Sequence, residues 1–279
     1  MKILIPTDFS PTANLAIEYG ATLASKLNAS VTLLHVVTPM MASPGMQGVM
    51  ADAKIAMMND ALENIKMTAS ALSESYPEIK VNYLIAEGEN TDTILEKAKE
   101  TDADYIVMGT LGASGLGKKL FGSNTVNVMT HSRVPVIIVP PDTNVMFPEK
   151  IVFAADYLVA EMEALRNIID FAVKGDAELE IVHVISADED AADEKELIKD
   201  FRDEVERFSE YGKISYHVFR SNDIAEGISD FTSATGARMI AFTTGKRGGF
   251  EKLFGRSITE EFAYKSMIPI VAFHARGSR

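Results

Sequence analysis

The sequence repeats itself, and the repeat constrains the fold more tightly than any single motif. Ile3-Leu4-Ile5-Pro6-Thr7-Asp8 recurs as Ile151-Val152-Phe153-Ala154-Ala155-Asp156, and Leu33-Leu34-His35-Val36-Val37 recurs as Ile181-Val182-His183-Val184-Ile185. Both pairs are offset by 148, as Asp156 against Asp8 and His183 against His35. Near the end, Val134-Pro135-Val136-Ile137-Ile138 returns as Ile268-Pro269-Ile270-Val271-Ala272 at an offset of 134, so the second copy is about 14 residues shorter in its later part. Each copy alternates short apolar runs with amphipathic segments, beginning and ending on a strand. This predicts an α/β chain of two tandem open parallel five-stranded sheets with helices on both faces. Strands are expected near 2–6, 30–37, 80–85, 104–108 and 135–139 of the first copy, with Asn28, Pro77, Asp102 and Pro135 punctuating the connections. The run Pro140-Pro141-Asp142-Thr143-Asn144 marks the boundary between domains at 1–142 and 148–279.

With 279 residues and 47% hydrophobic content, the chain can bury two cores. A net charge of −13 argues against a nucleic-acid surface, with Lys118-Lys119 a local basic exception. The absence of cysteine excludes disulfides, thiolate metal sites and cysteine nucleophiles, and it fits a reducing compartment. The opening Met1-Lys2-Ile3-Leu4-Ile5-Pro6 is a short strand, well below the length of a signal core or membrane span. A cytoplasmic protein without a membrane partner is expected. Met40 to Met58 holds six of the 14 methionines but is interrupted by Pro44, Gly45 and Gly48, so it is expected as a loop running into a helix. A methionine-lined metal or partner site is the lesser reading of that stretch.

Residues 109 to 123, Gly-Thr-Leu-Gly-Ala-Ser-Gly-Leu-Gly-Lys-Lys-Leu-Phe-Gly-Ser, follow the apolar Tyr105-Ile106-Val107-Met108 and lead into a helical pattern. Glycines let a backbone turn tightly beside a ligand, and the helix start supplies N–H groups, so the loop has the makings of a phosphate cradle. Two better-known loops fail here. Gly112, Gly117 and Lys118 keep the Walker A spacing, but Lys119 stands where a Ser or Thr would hold Mg²⁺. The dinucleotide fingerprint belongs after the first strand of its unit, which this loop does not follow. A plain surface turn is the alternative.

Ligands of open parallel sheets bind beyond the carboxyl ends of the strands. Asp8, Val37 and Gly109 sit at three such ends: a carboxylate for ribose hydroxyls, an apolar backbone stretch for a base, a glycine loop for phosphates. Taken alone, Asp8 better suits the N-cap of a helix starting near Pro11, or a turn. His35 and His183 fall mid-strand in apolar surroundings and are expected as packed imidazoles rather than bases.

On these residues the chain is similar to the universal stress protein family, as a tandem member on the adenine nucleotide alpha hydrolase-like fold. Nucleotide-binding members of that family carry Gly, two residues, Gly, nine residues, Gly, then Ser or Thr. Gly109, Gly112, Gly122 and Ser123 reproduce that spacing. Ile5 to Ser10, His35-Val36 and Val134 to Pro140 also resemble the family pattern, and the likeness covers nearly the whole chain. It implies a stress-response protein that binds ATP in its first domain as a sensor or regulator. Asp8 would then contact the adenosine, the main chain of Val37 the adenine, and Gly109, Gly112, Gly122 and Ser123 the phosphates. Main-chain groups of Pro6, Thr7, Met108, Asn124 and Thr125 would line the same pocket, with Mg²⁺ an optional companion of the ATP. The resemblance implies no catalytic residue and no dedicated metal site. It also implies an intrachain pseudo-dimer through residues 135–139 and 269–273, which covers an otherwise open edge. A homodimer and an unidentified protein partner stay open.

The second copy departs from the pattern in its loop. Gly245-Lys246-Arg247-Gly248 keeps the first half, but six residues then precede Gly255, and Arg256 precedes Ser257. Aligning Ser257 with Ser123 puts Arg256 where Gly122 stands, so the second domain is expected to be degenerate and Asp156 structural. Two other functions compete with an ATP sensor. One is a nucleotide-independent interaction scaffold, with residues 39–50 recruiting partners. The other is an enzyme, a slow ATPase or an adenylyl-transferring relative. The latter expects a Ser-Gly-Gly-x-Asp-Ser loop where Pro6-Thr7-Asp8-Phe9-Ser10 stands, and the first copy offers no placed general base or arginine finger.

Overall fold

The structure, a computed structural model, describes residues 1–39, 47–110, 122–157, 161–186, 191–244 and 268–274. The chain divides into two compact units, Met1–Pro141 and Asp142–Arg279.

The first unit runs β1 (Lys2–Pro6), α1 (Pro11–Leu27), β2 (Ser30–Val37), α2 (Gln47–Ser75), β3 (Val81–Glu87), α3 (Asn90–Glu100), β4 (Tyr105–Gly109), α4 (Ser123–His131) and β5 (Val136–Val139). Its strands are parallel in the order β3-β2-β1-β4-β5. Helices on both faces bury the central strands, which is why those strands are near-continuous apolar runs and do not alternate. Ile3, Leu4 and Ile5 of β1 are almost fully buried, as are Ile106 and Val107 of β4. The chain winds outward from β1 to β3 and then returns to place β4 on the other side of β1. That reversal opens a crevice beyond the carboxyl ends of β1 and β4.

The second unit runs β6 (Lys150–Ala154), α5 (Met162–Gly175), β7 (Glu178–Ile185), α6 (Ala191–Glu206), β8 (Ile214–Arg220), α7 (Ile224–Thr235), β9 (Met239–Thr244) and β10 (Ile270–His274). Its parallel order is β10-β9-β6-β7-β8, the same winding as the first. The repeat extends to backbone conformation. Asn28 and Asp176, 148 apart, end α1 and α5 at φ of 51° and 59°. Phe9 and Tyr157, also 148 apart, have φ of 62° and 57°, while Asp102 and Gly236, 134 apart, have φ of 50° and 69°. These left-handed positions suit Asn, Asp and Gly, which close helices at low steric cost, but not Phe or Tyr.

The expected tandem of parallel α/β sheets is what the structure contains. One difference lies in the methionine-rich stretch: α2 already begins at Gln47, so residues 47–50 belong to a helix rather than a loop. Gly48 lies in its first turn, where the intrahelical ladder has not yet closed. Residues 40–46 lie outside the described residues. Among the described residues no helix is long and apolar enough to cross a membrane.

Candidate functional site

A cavity of about 190 Å³ opens at the switch point of the first unit. Pro6, Thr7 and Asp8 line it from the end of β1, Leu34 and Val36 from β2, and Met108 and Gly109 from β4. Helix starts complete the wall: Ala13 from α1, Asn90 and Ile94 from α3, and Gly122 to Thr125 from α4.

The β1 end is held by a dense set of local bonds. Thr7 continues the ladder past Pro6, its N–H donating to the Leu34 carbonyl at 2.8 Å. The Thr7 carbonyl in turn accepts from Nδ1 of His35 at 2.8 Å, and its hydroxyl oxygen accepts from the Phe9 N–H at 3.0 Å. Asp8 closes an Asx-turn, its Oδ1 accepting from the Ser10 N–H at 3.0 Å. Ser10 then caps α1, its Oγ accepting from the Ala13 N–H at 3.3 Å. The N-cap is therefore Ser10, and the exposed Asp8 keeps a carboxylate at the cavity rim. His35 is half-buried and stacked on Phe9 with ring centroids 4.7 Å apart, as expected of a packed imidazole.

The β4 end needs a glycine. A Cβ on Gly109 would lie 2.6 Å from the backbone carbonyl oxygen of Thr12, so α1 approaches the strand too closely for any side chain. Thr125 ties the first turn of α4 to this point, its hydroxyl donating to the Gly109 carbonyl at 3.0 Å. The Gly122 N–H donates to the Thr110 carbonyl at 2.6 Å, which closes the base of the glycine loop. Gly122 is the N-cap of α4 and has no side chain to bond the first-turn amides. Those amides and the positive end of the helix dipole meet the cavity at Ser123, Asn124 and Thr125. Glu89, the N-cap of α3, likewise makes no side-chain capping bond, so the start of α3 at Asn90 adds a second such end. Among the described lining residues Asp8 is the one ionisable side chain. The arrangement can receive a molecule with an anionic end at α4 and an apolar end against Leu34, Val36 and Ile94.

The structure brings nine of the expected site residues together around this cavity: Pro6, Thr7, Asp8, Met108, Gly109, Gly122, Ser123, Asn124 and Thr125. Val37 is buried, and its carbonyl accepts from the Gly88 N–H at 3.1 Å, while its neighbour Val36 lines the cavity. Gly112, Lys118 and Lys119 lie outside the described residues. Sequence reasoning missed Ala13, Leu34, Val36, Asn90 and Ile94. Asn90 and Ile94 are four apart at the start of a helix that follows a strand end, a signal present in the sequence but shared by every helix of the unit.

The second unit differs at the matching strand end. Ile3 pairs with Tyr105 and Ile151 with Met239, while Gly109 pairs with Val139 and Thr243 with Phe273. The register therefore puts Thr243, and not Gly245, where Gly109 stands. Gly245, Gly248, Gly255, Arg256 and Ser257 lie outside the described residues.

Comparison with known proteins follows the same division. The model of the universal stress protein family matches residues 1–140 and again residues 148–274. Universal stress protein MJ0531 of Methanocaldococcus jannaschii is 30% identical over 142 residues, covering 50% of this chain and 81% of the relative. Universal stress protein MJ0577 of the same organism is 28% identical over 151 residues, covering 50% and 93%. The crystal structure of a universal stress protein from Archaeoglobus fulgidus shares the fold with a TM-score of 0.72, at 21% identity, over 98% of this chain and 96% of that one.

Proposed function

This chain belongs to the universal stress protein family as a tandem two-domain member, and we propose that its first unit binds ATP at the switch-point cavity, as a cytoplasmic sensor or regulator in a stress response. The observation that carries this reading is the convergence, in one cavity, of the glycine-capped start of α4 with Asp8 and an apolar wall. Each part suits one part of an adenine nucleotide. The amides of residues 123 to 125 suit phosphate oxygens, the Asp8 carboxylate suits the ribose hydroxyls, and Leu34, Val36 and Ile94 suit the base. Mg²⁺, when present with the nucleotide, would bridge its phosphates. With Asp8 the one ionisable group among the described lining residues, the site supports binding better than turnover, and hydrolysis is expected to be slow.

Isothermal titration of ATP into the wild-type protein and into Gly122→Arg tests the assignment. The variant should bind at least about tenfold more weakly, because the guanidinium side chain fills the cradle where backbone must approach phosphate. Equal binding by both proteins would overturn it. Nucleotide released on denaturing the freshly purified protein would count against a nucleotide-independent scaffold.

A further inference from the structure

The counterpart of the ATP cavity in the second unit contains a buried carboxylate. The offset of 148 carries the buried face of α1 onto that of α5: Ala16, Ile17, Leu23 and Ala24 correspond to Ala164, Leu165, Phe171 and Ala172, and all eight are buried. By the same offset Glu161 stands where Ala13 lines the first cavity. Strand register puts Thr243 in the place of Gly109, and the repeat puts Asp156 in the place of Asp8. In the first unit these three positions surround an opening. In the second they are joined. Glu161 is completely buried, one carboxylate oxygen accepting from the Asp156 N–H at 3.0 Å and the other from the Thr243 hydroxyl at 3.2 Å.

Burying a carboxylate is costly unless donors replace its water, and the donors among the described residues include a main-chain N–H and a hydroxyl beside a helix start. Those are the groups that hold an oxyanion in a binding site. Both replacements also add volume, Ala to Glu and Gly to Thr. We infer that the second unit carries an internal ligand: the Glu161 side chain plugs a latent anion site bounded by Asp156 and Thr243, and keeps that unit closed to phosphate-bearing ligands. The inference concerns residues of the second unit alone and does not depend on ATP binding by the first.

The test is thermal unfolding of the full chain as wild type, Glu161→Ala and Glu161→Gln, in acetate, in inorganic phosphate, and in chloride at matched ionic strength. Glu161→Ala empties the plug, so acetate or phosphate should raise its midpoint by several degrees more than it raises that of the wild type, because a ligand that binds the folded state stabilises it. Glu161→Gln keeps the shape and should show no such extra gain. A Glu161→Ala protein that folds but gains nothing over the wild type from either anion would overturn the inference. So would a variant that no anion allows to fold, since Glu161 would then be a strut and not a displaceable plug. A failure of the wild type to bind ATP would bear on the first unit, and leaves the anion comparison intact.

Discussion

Nδ1 of His35 donates to the carbonyl of Thr7 across 2.8 Å, and His183 repeats the bond to Ala155 at 2.7 Å. A carbonyl only accepts, so the proton sits on Nδ1 in both rings. The bond crosses from β2 to the residue that leads into Asp8, and from β7 to the residue that leads into Asp156. It therefore holds the strand end that delivers each aspartate, and in the first unit the same imidazole supports Phe9, whose φ of 62° is unfavourable for an aromatic residue.

Replacing His35 by Leu leaves the Thr7 carbonyl without this donor and removes the stacking partner of Phe9. The expected cost is about 1–3 kcal/mol, the range for a buried polar group that loses its partner. Equilibrium urea unfolding of His35→Leu measures it, and ATP affinity should fall in the same variant as the Asp8 turn loosens. A stability equal to that of the wild type would remove His35 from the scaffold of the site.

Asp8 is expected to read the sugar and not the phosphates. Asp8→Ala should weaken ATP about tenfold, equivalent to about 1.4 kcal/mol. Inorganic tripolyphosphate, which has no ribose, should bind both proteins alike. Parallel loss of both ligands would show instead that Asp8 acts through its turn onto the Ser10 N–H.

Gly109→Ala should be poorly tolerated. The new Cβ would come within 2.6 Å of the Thr12 backbone carbonyl, and backbone cannot rotate away as the tip of a side chain could. Overpacking of this kind costs about 1–3 kcal/mol, and it also shifts the start of α1 against β4 at the cavity wall. Calorimetry should show a lowered midpoint together with weaker ATP binding. A variant of unchanged stability would mean that α1 can retreat freely.

Tyr19 offers a stabilising change. Its hydroxyl is buried in the first unit without a hydrogen-bond partner among the described residues, and burial pushes the phenol well above its usual range. A folded pKa above the unfolded one contributes stability that is complete below pH about 10 and is lost as pH rises beyond it. Tyr19→Phe should therefore gain about 1 kcal/mol near neutrality, by removing an unpaired polar group, and should fall less steeply above pH about 10. Unfolding midpoints across neutral and alkaline pH check both, and a destabilised variant would imply a partner for the hydroxyl.

Much of the site was legible because strand ends are legible. The apolar runs of β1 and β4 stop at Pro6 and Gly109, so Asp8 and Gly109 fall at strand ends, and the glycine-rich stretch leads to the helix start at Ser123 to Thr125, whereas Pro6, Thr7 and Met108 were expected at the site only from the resemblance to the family. Asn90 and Ile94 were not legible, since helical period puts them on one face without saying what that face meets. The tertiary fold decides that α3 stands beside β2 and α4. Asp8 was the expected N-cap, and only the geometry of the turn shows that it bonds the Ser10 N–H while Ser10 itself caps α1. Val36 and Val37 differ likewise by the side of the strand on which each falls.

The sequence alone determined the tandem α/β architecture, because a repeated alternation of apolar runs and amphipathic segments has few ways to bury itself other than as two parallel sheets. It also determined at which end of the first sheet the glycine-rich stretch stands, because glycine spacing is a local property of the chain. What the tertiary structure decided is the difference between the halves. Glu161 and Thr243 are 82 residues apart and unremarkable in sequence, yet the sheet order brings them together in a fully buried contact. A carboxylate enters such a place only where donors await it, and the positions of those donors depend on how the strands line up across the sheet.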